Sequence, residues 1–531
     1  MSLQENTRPS SGRSPGASLQ DSNEDTEAGK ISTEKGELND NIVDWDGPDD
    51  PENPLRWSGA KKNLHIILVS TFALVANLAA TMFAPGALQL AEDFNITDPI
   101  LQTFTVNIYL LAFGVGPIFL APLSEIYGRL IIYYVCTVLY IAFTIGCAFS
   151  TNVSMFLVFR VFAGLFASGP LTIGGGTIAD VTTQSERGKA VALWGLGPLL
   201  GPVAGPIIGG FVTQVVGWRW TFRIILIVAG VQGVVTLVFM RETHATTILR
   251  RKTKRLIKET GNTRLVPKGA TNEAPRQIFL RALVRPAKMI VFSPIVLLLS
   301  LYSGLLYGII FLLFTTFPVV FQETYNFSTG IAGLAYLGLG LGFVLGLLVF
   351  SLLSDKLLGQ KKDGALAQPE KRLILMKWIA PISPLGCFRK CDRESLSFSP
   401  GNAAAWFPPM FTHLFGALLY GWTAQYHVHW IVPILGTFIV GFGSLFIVIP
   451  GQTYLVDSFG SEASASALAA NLIIRSPFGA LLALAAPPLY SQLGLGWGNS
   501  VLGFITLAFT PVPFLFYHYG ETLRTRFPVR L

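Results

Sequence analysis

Ten long stretches of the chain contain no Asp, Glu, Lys or Arg, and their spacing constrains the fold more than any single motif. They are 63–91, 99–124, 130–159, 161–179, 190–218, 224–240, 289–322, 324–354, 395–456 and 476–520. A helix needs ~20 largely apolar residues to cross a bilayer. In lipid the backbone must satisfy its own hydrogen bonds, so such stretches become helices. Dividing them at Gly, Pro and Asn breaks and at interrupting charges predicts twelve spans. These lie near 63–85, 101–122, 130–150, 154–178, 190–214, 219–240, 289–314, 329–353, 406–424, 429–450, 464–488 and 499–519. An ordinary multi-domain soluble enzyme is excluded, because only 13% of residues are charged against ~25% in soluble domains.

The net charge of +8 would suit a polyanion binder if the cations were clustered on a folded surface. They are not. The first 55 residues hold 13 acidic and four basic residues, which leaves them at −9 and the rest at +17. Residues 1–40 are rich in Ser, Glu, Gly and Asn, with too little apolar surface to offset ordering, and predict a disordered tail. No cleavable signal peptide is visible there. The segment 241–288 carries 13 Lys/Arg against three Glu, including the run from Arg250 to Arg255, and the C-terminus adds Arg524, Arg526 and Arg530. The opposite loops carry Glu92, Asp93, Asp98 and Glu323, with Arg219 and Arg223 at the start of span six as their only nearby basic residues. The positive-inside rule then predicts both termini in the cytoplasm, with anionic lipid as an added partner of the basic run and no nucleic acid. The expected organisation is a tail (1–62), a six-helix bundle (63–240), a basic loop (241–288), a second six-helix bundle (289–520) and a short tail (521–531). Sequons at Asn95, Asn152 and Asn326 fall in short outside loops, where glycosylation is doubtful.

The halves echo one another. Leu123-Ser124-Glu125 ends span two and Leu353-Ser354-Asp355 ends span eight; Asp180 ends span four and Asp457 ends span ten. The fold class expected is therefore all-α and integral to the membrane, with twelve transmembrane helices in two pseudo-symmetric six-helix bundles. Repeats of this kind place a transporter's substrate site at their interface. In span five Gly197, Gly201, Gly205 and Gly209 recur every four residues, with Pro198, Pro202 and Pro206 after three of them. That spacing lets a neighbouring backbone approach one face, while the prolines bend the helix; generic small-residue packing is the plainer reading. Glu125 and Arg129, four apart on the loop after span two, either pair or cap helix ends, or are simply solvated. Arg160 and Arg475 lie inside spans four and eleven, where a charge costs at least ~2.5 kcal/mol; snorkelling is the alternative for Arg160. Asn77, Asn107, Tyr302, Tyr307, Gln452, Tyr454 and Asn471 either line a path or join helices. No metal spacing, catalytic triad or nucleotide loop appears, so no metal, no cofactor and no enzymatic activity are expected.

These residues resemble the major facilitator superfamily, and more narrowly its fungal twelve-span drug/proton antiporter branch, from about residue 44 to 524. Residues 45–54 are similar to the branch's pre-membrane signature, 121–129 to the family's loop motif, Arg160-Val-Phe-Ala-Gly164 to the span-four motif associated with proton coupling, and 197–210 to the antiporter motif. Trp218-Arg-Trp220 and Arg241-Glu-Thr243 bracket span six in the family's manner. The resemblance implies a monomeric, proton-coupled exporter of small amphipathic molecules (drugs, toxins or secondary metabolites) at the plasma membrane or a vacuolar or vesicle membrane. Arg160 and Asp180 would serve proton coupling. Glu125, Arg129 and Asp355 would form the cytoplasmic gate, and Arg475 with the seven polar residues the substrate path. A nutrient or polyamine uptake carrier is the alternative. Two departures stand out: Leu130 replaces a usual basic residue after Arg129, and residues 377–406 form an atypical insertion. A retained intron would explain that insertion, a cytoplasmic insertion is the other reading, and disruption of span nine would leave the product inactive.

Overall fold

In a computed structural model the described residues are 41–47, 49–183, 186–269, 274–358, 370, 373, 376 and 409–527, without the side chains of 354–358, 409–410 and 460–465. The atypical stretch 377–406 and the tail before Asn41 lie outside them.

The membrane portion is helical. Its first half contains α1 (Gly59–Thr81), the short α2 (Ala87–Asp93), α3 (Pro99–Tyr127), α4 (Arg129–Ala148), α5 (Val153–Val181), α6 (Arg187–Val216) and α7 (Arg219–Phe239). After the connecting helix α8 (Ala245–Thr260) and α9 (Pro275–Phe292), the second half contains α10 (Pro294–Glu323), α11 (Thr329–Leu334), α12 (Tyr336–Leu358), α13 (Pro409–Gln425), α14 (Ile431–Leu484), α15 (Ala486–Ala508) and α16 (Pro511–Arg526). Eleven stretches among the described residues are long and apolar enough to cross a membrane. The ninth expected span corresponds to α13, whose 17 residues fall short of the ~20 of a full crossing.

Local chemistry sets the helix starts. Asp98, Asn152, Ser293 and Ser328 each accept a backbone N–H of the first turn through their side chains, filling donors that helix ends leave open. Pro99 and Pro294 follow two of these caps, where a missing N–H costs nothing. Asn95 and Asn326 adopt left-handed φ of 53° and 55°, which asparagine tolerates better than most residues. The matching turns Phe94-Asn95-Ile96-Thr97 and Tyr325-Asn326-Phe327-Ser328 mark equivalent points of the two halves. The sequon asparagines are thus turn and cap residues.

Helix α14 is not one straight rod. Its two apolar stretches are Ile431–Phe459 and Ser466–Leu484. Ile447 and Asn471 line one cavity together with Tyr302, although ~36 Å would separate them along a straight helix. The chain therefore doubles back between the stretches. The next reversal comes at Gly494, whose φ of 72° and ψ of 173° are non-helical; Gln425 Oε1 accepts the nearby Gly496 N–H at 2.6 Å.

The halves meet along two seams. On α6, Gly210 faces the backbone of Thr329 and Gly330, and Gln214 accepts the Gly330 N–H at 2.8 Å. Gly333 lies against Pro206 O, and Gly340 against Val203. In the other seam Gly114 of α3 faces Ser476 of α14, and Gly479 faces Leu110. The first seam runs from the α6 C-terminus inward. Hereafter the membrane face at the start of α1 is the near side, and the face at the C-terminus of α6 is the far side.

The described residues of 41–50 and 246–269 form a separate unit. A two-residue parallel pairing joins Ile42–Val43 to Val266–Pro267. Lys252, only 4% exposed, meets Asp46 at 2.6 Å and Asp50 at 3.2 Å and donates to Asp44 O at 3.1 Å. Lys268 pairs with Asp44. The acidic pre-membrane segment is thus clasped to the basic loop. Burial pulls Lys252 down, but hydrogen bonds and charge from Asp46 and Asp50 outweigh it and raise its pKa. Asp44 is lowered, first by its hydrogen bond from Lys268 and then by that from its neighbour's N–H. A lowered carboxylate loses its contribution as pH falls through its folded pKa, and a raised amine loses its own as pH rises through the folded value. The clasp should therefore be tightest between those limits. Proteolysis within 41–50 is expected to accelerate below about pH 4 and, at neutral pH, in Lys252→Ala; equal cleavage rates at pH 3 and pH 7 would contradict the role of Asp44.

Candidate functional site

Gly197, Gly201, Gly205 and Gly209 of α6 face α1 and the Met82 that follows it. A Cβ on Gly197 would lie 2.6 Å from Leu74 N, on Gly201 2.9 Å from Leu78 N, and on Gly205 2.8 Å from Leu78 O, while on Gly209 it would overlap the Met82 carbonyl. Pro206 lacks the N–H that would pair with the carbonyl four residues earlier. That carbonyl belongs to Pro202, and Thr81 Oγ1 of α1 donates to it at 3.2 Å. Pro198 and Pro202 lie in the same helix interior. Asn77 sits within this contact: its Nδ2 donates to Ala73 O at 2.8 Å and its Cβ meets Gly201.

Arg160 of α5 is 2% exposed. Its Nη2 donates to Ala79 O at 3.2 Å and Ala80 O at 3.3 Å, where α1 ends. Its guanidinium faces the rings of Tyr109 (4.5 Å), Phe222 (5.3 Å) and Phe83 (5.7 Å). Among the described residues no carboxylate pairs with it, and its Nε has no partner. Carbonyl dipoles and aromatic faces therefore do the work a counter-ion would do. Snorkelling does not describe this geometry, because the head is buried against α1. Tyr109 is itself fixed, its hydroxyl donating to Ala76 O at 2.9 Å.

A polar network closes the near-side ends of α3, α4, α5 and α7. Arg129 Nε reaches Asp180 Oδ2 at 3.4 Å, Arg129 Nη1 donates to Ser124 Oγ at 2.7 Å, and Thr243 Oγ1 donates to Asp180 Oδ2 at 3.3 Å. The guanidinium lies against Gly176, where a Cβ would come within 2.9 Å of Nη2. Glu242 caps α4, accepting the Arg129 N–H at 2.9 Å and the Leu130 N–H at 3.3 Å. Glu125 is exposed, so the spacing-based pairing with Arg129 is not the one formed. Gly128, at φ 97°, ends α3 and starts α4 in a new direction, so the four-residue helical neighbour relation does not cross it. Asp180, 51 residues away, takes the guanidinium instead. Asp355 lies near the end of α12, with its side chain outside the described set. Sequence reasoning noted Arg241-Glu-Thr243 but missed the capping by Glu242; an acid just past a span end was the available signal.

The seven polar residues read as one path divide into several places. Tyr302, Gln452 and Asn471 line one small cavity. Asn471 Nδ2 donates to Ser303 Oγ at 2.7 Å, and the buried Tyr302 ring stacks on Phe509 at 5.7 Å. Tyr307 lies beneath Arg475, with the guanidinium 4.6 Å from its ring centre. Tyr454 is elsewhere, stacked on Phe516 and facing Gly520. Asn107 donates within its own helix to Thr103 O at 3.0 Å.

Comparison with known proteins agrees with this architecture. The sequence profile of the Major Facilitator Superfamily matches residues 67–379. "MFS transporter fsa7" of a Fusarium species is 64% identical over 491 residues, 92% of this chain and 90% of that protein. The "Trichosetin biosynthesis cluster MFS transporter" of Gibberella fujikuroi is 58% identical over 495 residues, 93% of this chain and 90% of that protein. A crystal structure of a D-xylose-proton symporter superposes with a TM-score of 0.60 at 15% identity, covering 85% of this chain and 98% of that one, a likeness of fold. Helices, seams and relatives agree: the chain belongs to the major facilitator superfamily, a multi-pass membrane transporter of small molecules.

Proposed function

We propose that the protein is a proton-driven exporter of small amphipathic organic molecules, of the kind its producer makes as secondary metabolites or meets as drugs and toxins. It works by alternating access between its two six-helix halves. The observation that carries the coupling is Arg160: a guanidinium buried without a carboxylate and held on the last carbonyls of α1. It acts as a fixed charge, and Asp180, in the Arg129 network, is the titratable group. The described state is closed towards the far side by the α6–α11 seam. Glu125, Arg129 and Asp355 belong to the cytoplasmic gate on the near side. The near side is the cytoplasm, which puts both termini inside the plasma membrane, and the protein acts as a monomer. The relative from a biosynthesis cluster supports a metabolite as cargo.

Everted membrane vesicles carrying the protein are expected to accumulate at least one of a set of hydrophobic fluorescent cargoes, neutral, cationic and anionic, when their lumen is acidified. That accumulation should collapse when an uncoupler removes the gradient. Gradient-independent accumulation, matched by vesicles lacking the protein, would defeat the proposal.

A further inference from the structure

We infer that the cargo is an organic anion, and that Arg475 binds its acidic group; this rests on the transporter reading above and narrows it. Arg475 lies on α14, about 14 Å of helix from Ser466, where the second apolar stretch starts, and so near mid-depth. Asn471, Arg475 and Gly479 follow at four-residue steps on one helix face. That face lies on α10, through Ser303 for Asn471 and through Tyr307 for Arg475 and Gly479. The next residue, Ser476, meets Gly114 of α3. Arg475 therefore stands on the seam where the two halves meet.

Its charge is not balanced there. No acidic side chain pairs with it among the described residues, and its buried Nε has no hydrogen-bond partner. Its one ring contact among the described residues is the face of Tyr307. A guanidinium at mid-membrane is costly, and one cation–π contact returns only part of that cost. Arg160 shows the contrast: two carbonyls and three rings hold it, and 2% of it is exposed. Arg475 is half-buried, so a group entering the seam can reach it. A planar, five-donor head suits a carboxylate or an acidic enol, which can accept two of its N–H groups. Lipid headgroups sit too far from this depth to supply the charge. An amphipathic monoanion fits both parts of the surroundings, its acidic end on Arg475 and its body against Leu110 and the neighbouring apolar side chains of α10.

The test uses the full chain in detergent micelles with two fluorescent probes of the same shape, 1-pyrenebutyrate and its neutral amide. The carboxylate is expected to bind about tenfold or more tightly than the amide. Arg475→Gln should bring that ratio to about one through loss of carboxylate affinity, and Arg475→Lys should keep part of the preference. A merely structural role would shift both probes together. Equal affinities in the wild type, absence of binding by either probe, or a preference that survives Arg475→Gln overturns the proposal; the wild-type ratio needs no variant to fold. Everted vesicles separate this from the transport reading. If the Arg475-dependent preference is present but carboxylate uptake ignores the proton gradient, the coupling reading falls and the anion site stands. If gradient-driven uptake treats both probes alike and binding shows no preference, the reverse holds.

Discussion

Gly209→Val is expected to abolish the folded transporter. A Cβ there overlaps the Met82 carbonyl, which is backbone and cannot rotate away. Gly205 and Gly201, one and two turns earlier, also hold the α1 backbone within 3 Å of a would-be Cβ, so α6 cannot tilt to make room without losing those contacts too. Overpacking of this kind costs about 3 kcal/mol or more. The readouts are yield and thermal midpoint in detergent. Gly195→Val serves as the control: it lies on the same helix, but a Cβ there meets nothing within 4 Å, and its effect should stay within about 0.5 kcal/mol. Equal losses in the two variants would mean that the helix itself, and not its seam with α1, rejects a side chain.

Arg160→Lys should fold yet lose gradient-driven transport by about tenfold to a hundredfold, the equivalent of one or two charge-assisted hydrogen bonds. An ammonium is a compact point charge. It cannot reach both the Ala79 and Ala80 carbonyls while its head spreads across the Tyr109, Phe222 and Phe83 rings. Arg160→Met removes the charge altogether and should abolish uphill accumulation. The informative comparison is with exchange of labelled for unlabelled cargo at equal pH on both sides. A coupling residue affects the uphill reaction and spares exchange; parallel loss of both would assign Arg160 to structure alone.

The membrane helices were legible because charge is excluded from hydrocarbon, and the uncharged windows report that exclusion directly. What each side chain meets was less legible. The α10–α14 and α1–α6 seams both carry polar residues at helical spacing, so Asn77 and Asn471 look alike in sequence. One packs into a glycine ladder and the other hydrogen-bonds to Ser303. The Asp180 partner of Arg129 was hidden by Gly128, since a left-handed φ cannot be told from an ordinary glycine without coordinates. The same holds at Gly494. Span twelve was drawn from residue 499, but the chain turns five residues earlier, and Gly496 and Gly498 nearby offered equally good breaks. Asp355, proposed for the second half of the gate, and the stretch 377–406 lie where side chains are not described.

The glycine ladder also has a mechanical consequence. From Gly197 to Gly209 it runs about 18 Å, more than half the hydrocarbon thickness of ~30 Å. Backbone contact along that length, tied by the Thr81–Pro202 bond, makes α1 and α6 one stiff beam. The next residue, Gly210, faces the other way, onto Gly330 and Gly333. There glycine meets glycine, flanked by Phe211 and by Gln214, which accepts the Gly330 N–H, so the contact is a close, hydrogen-bonded pivot. When the two halves rock, α6 should turn on α11 while carrying α1, and the carbonyls that hold Arg160, with it.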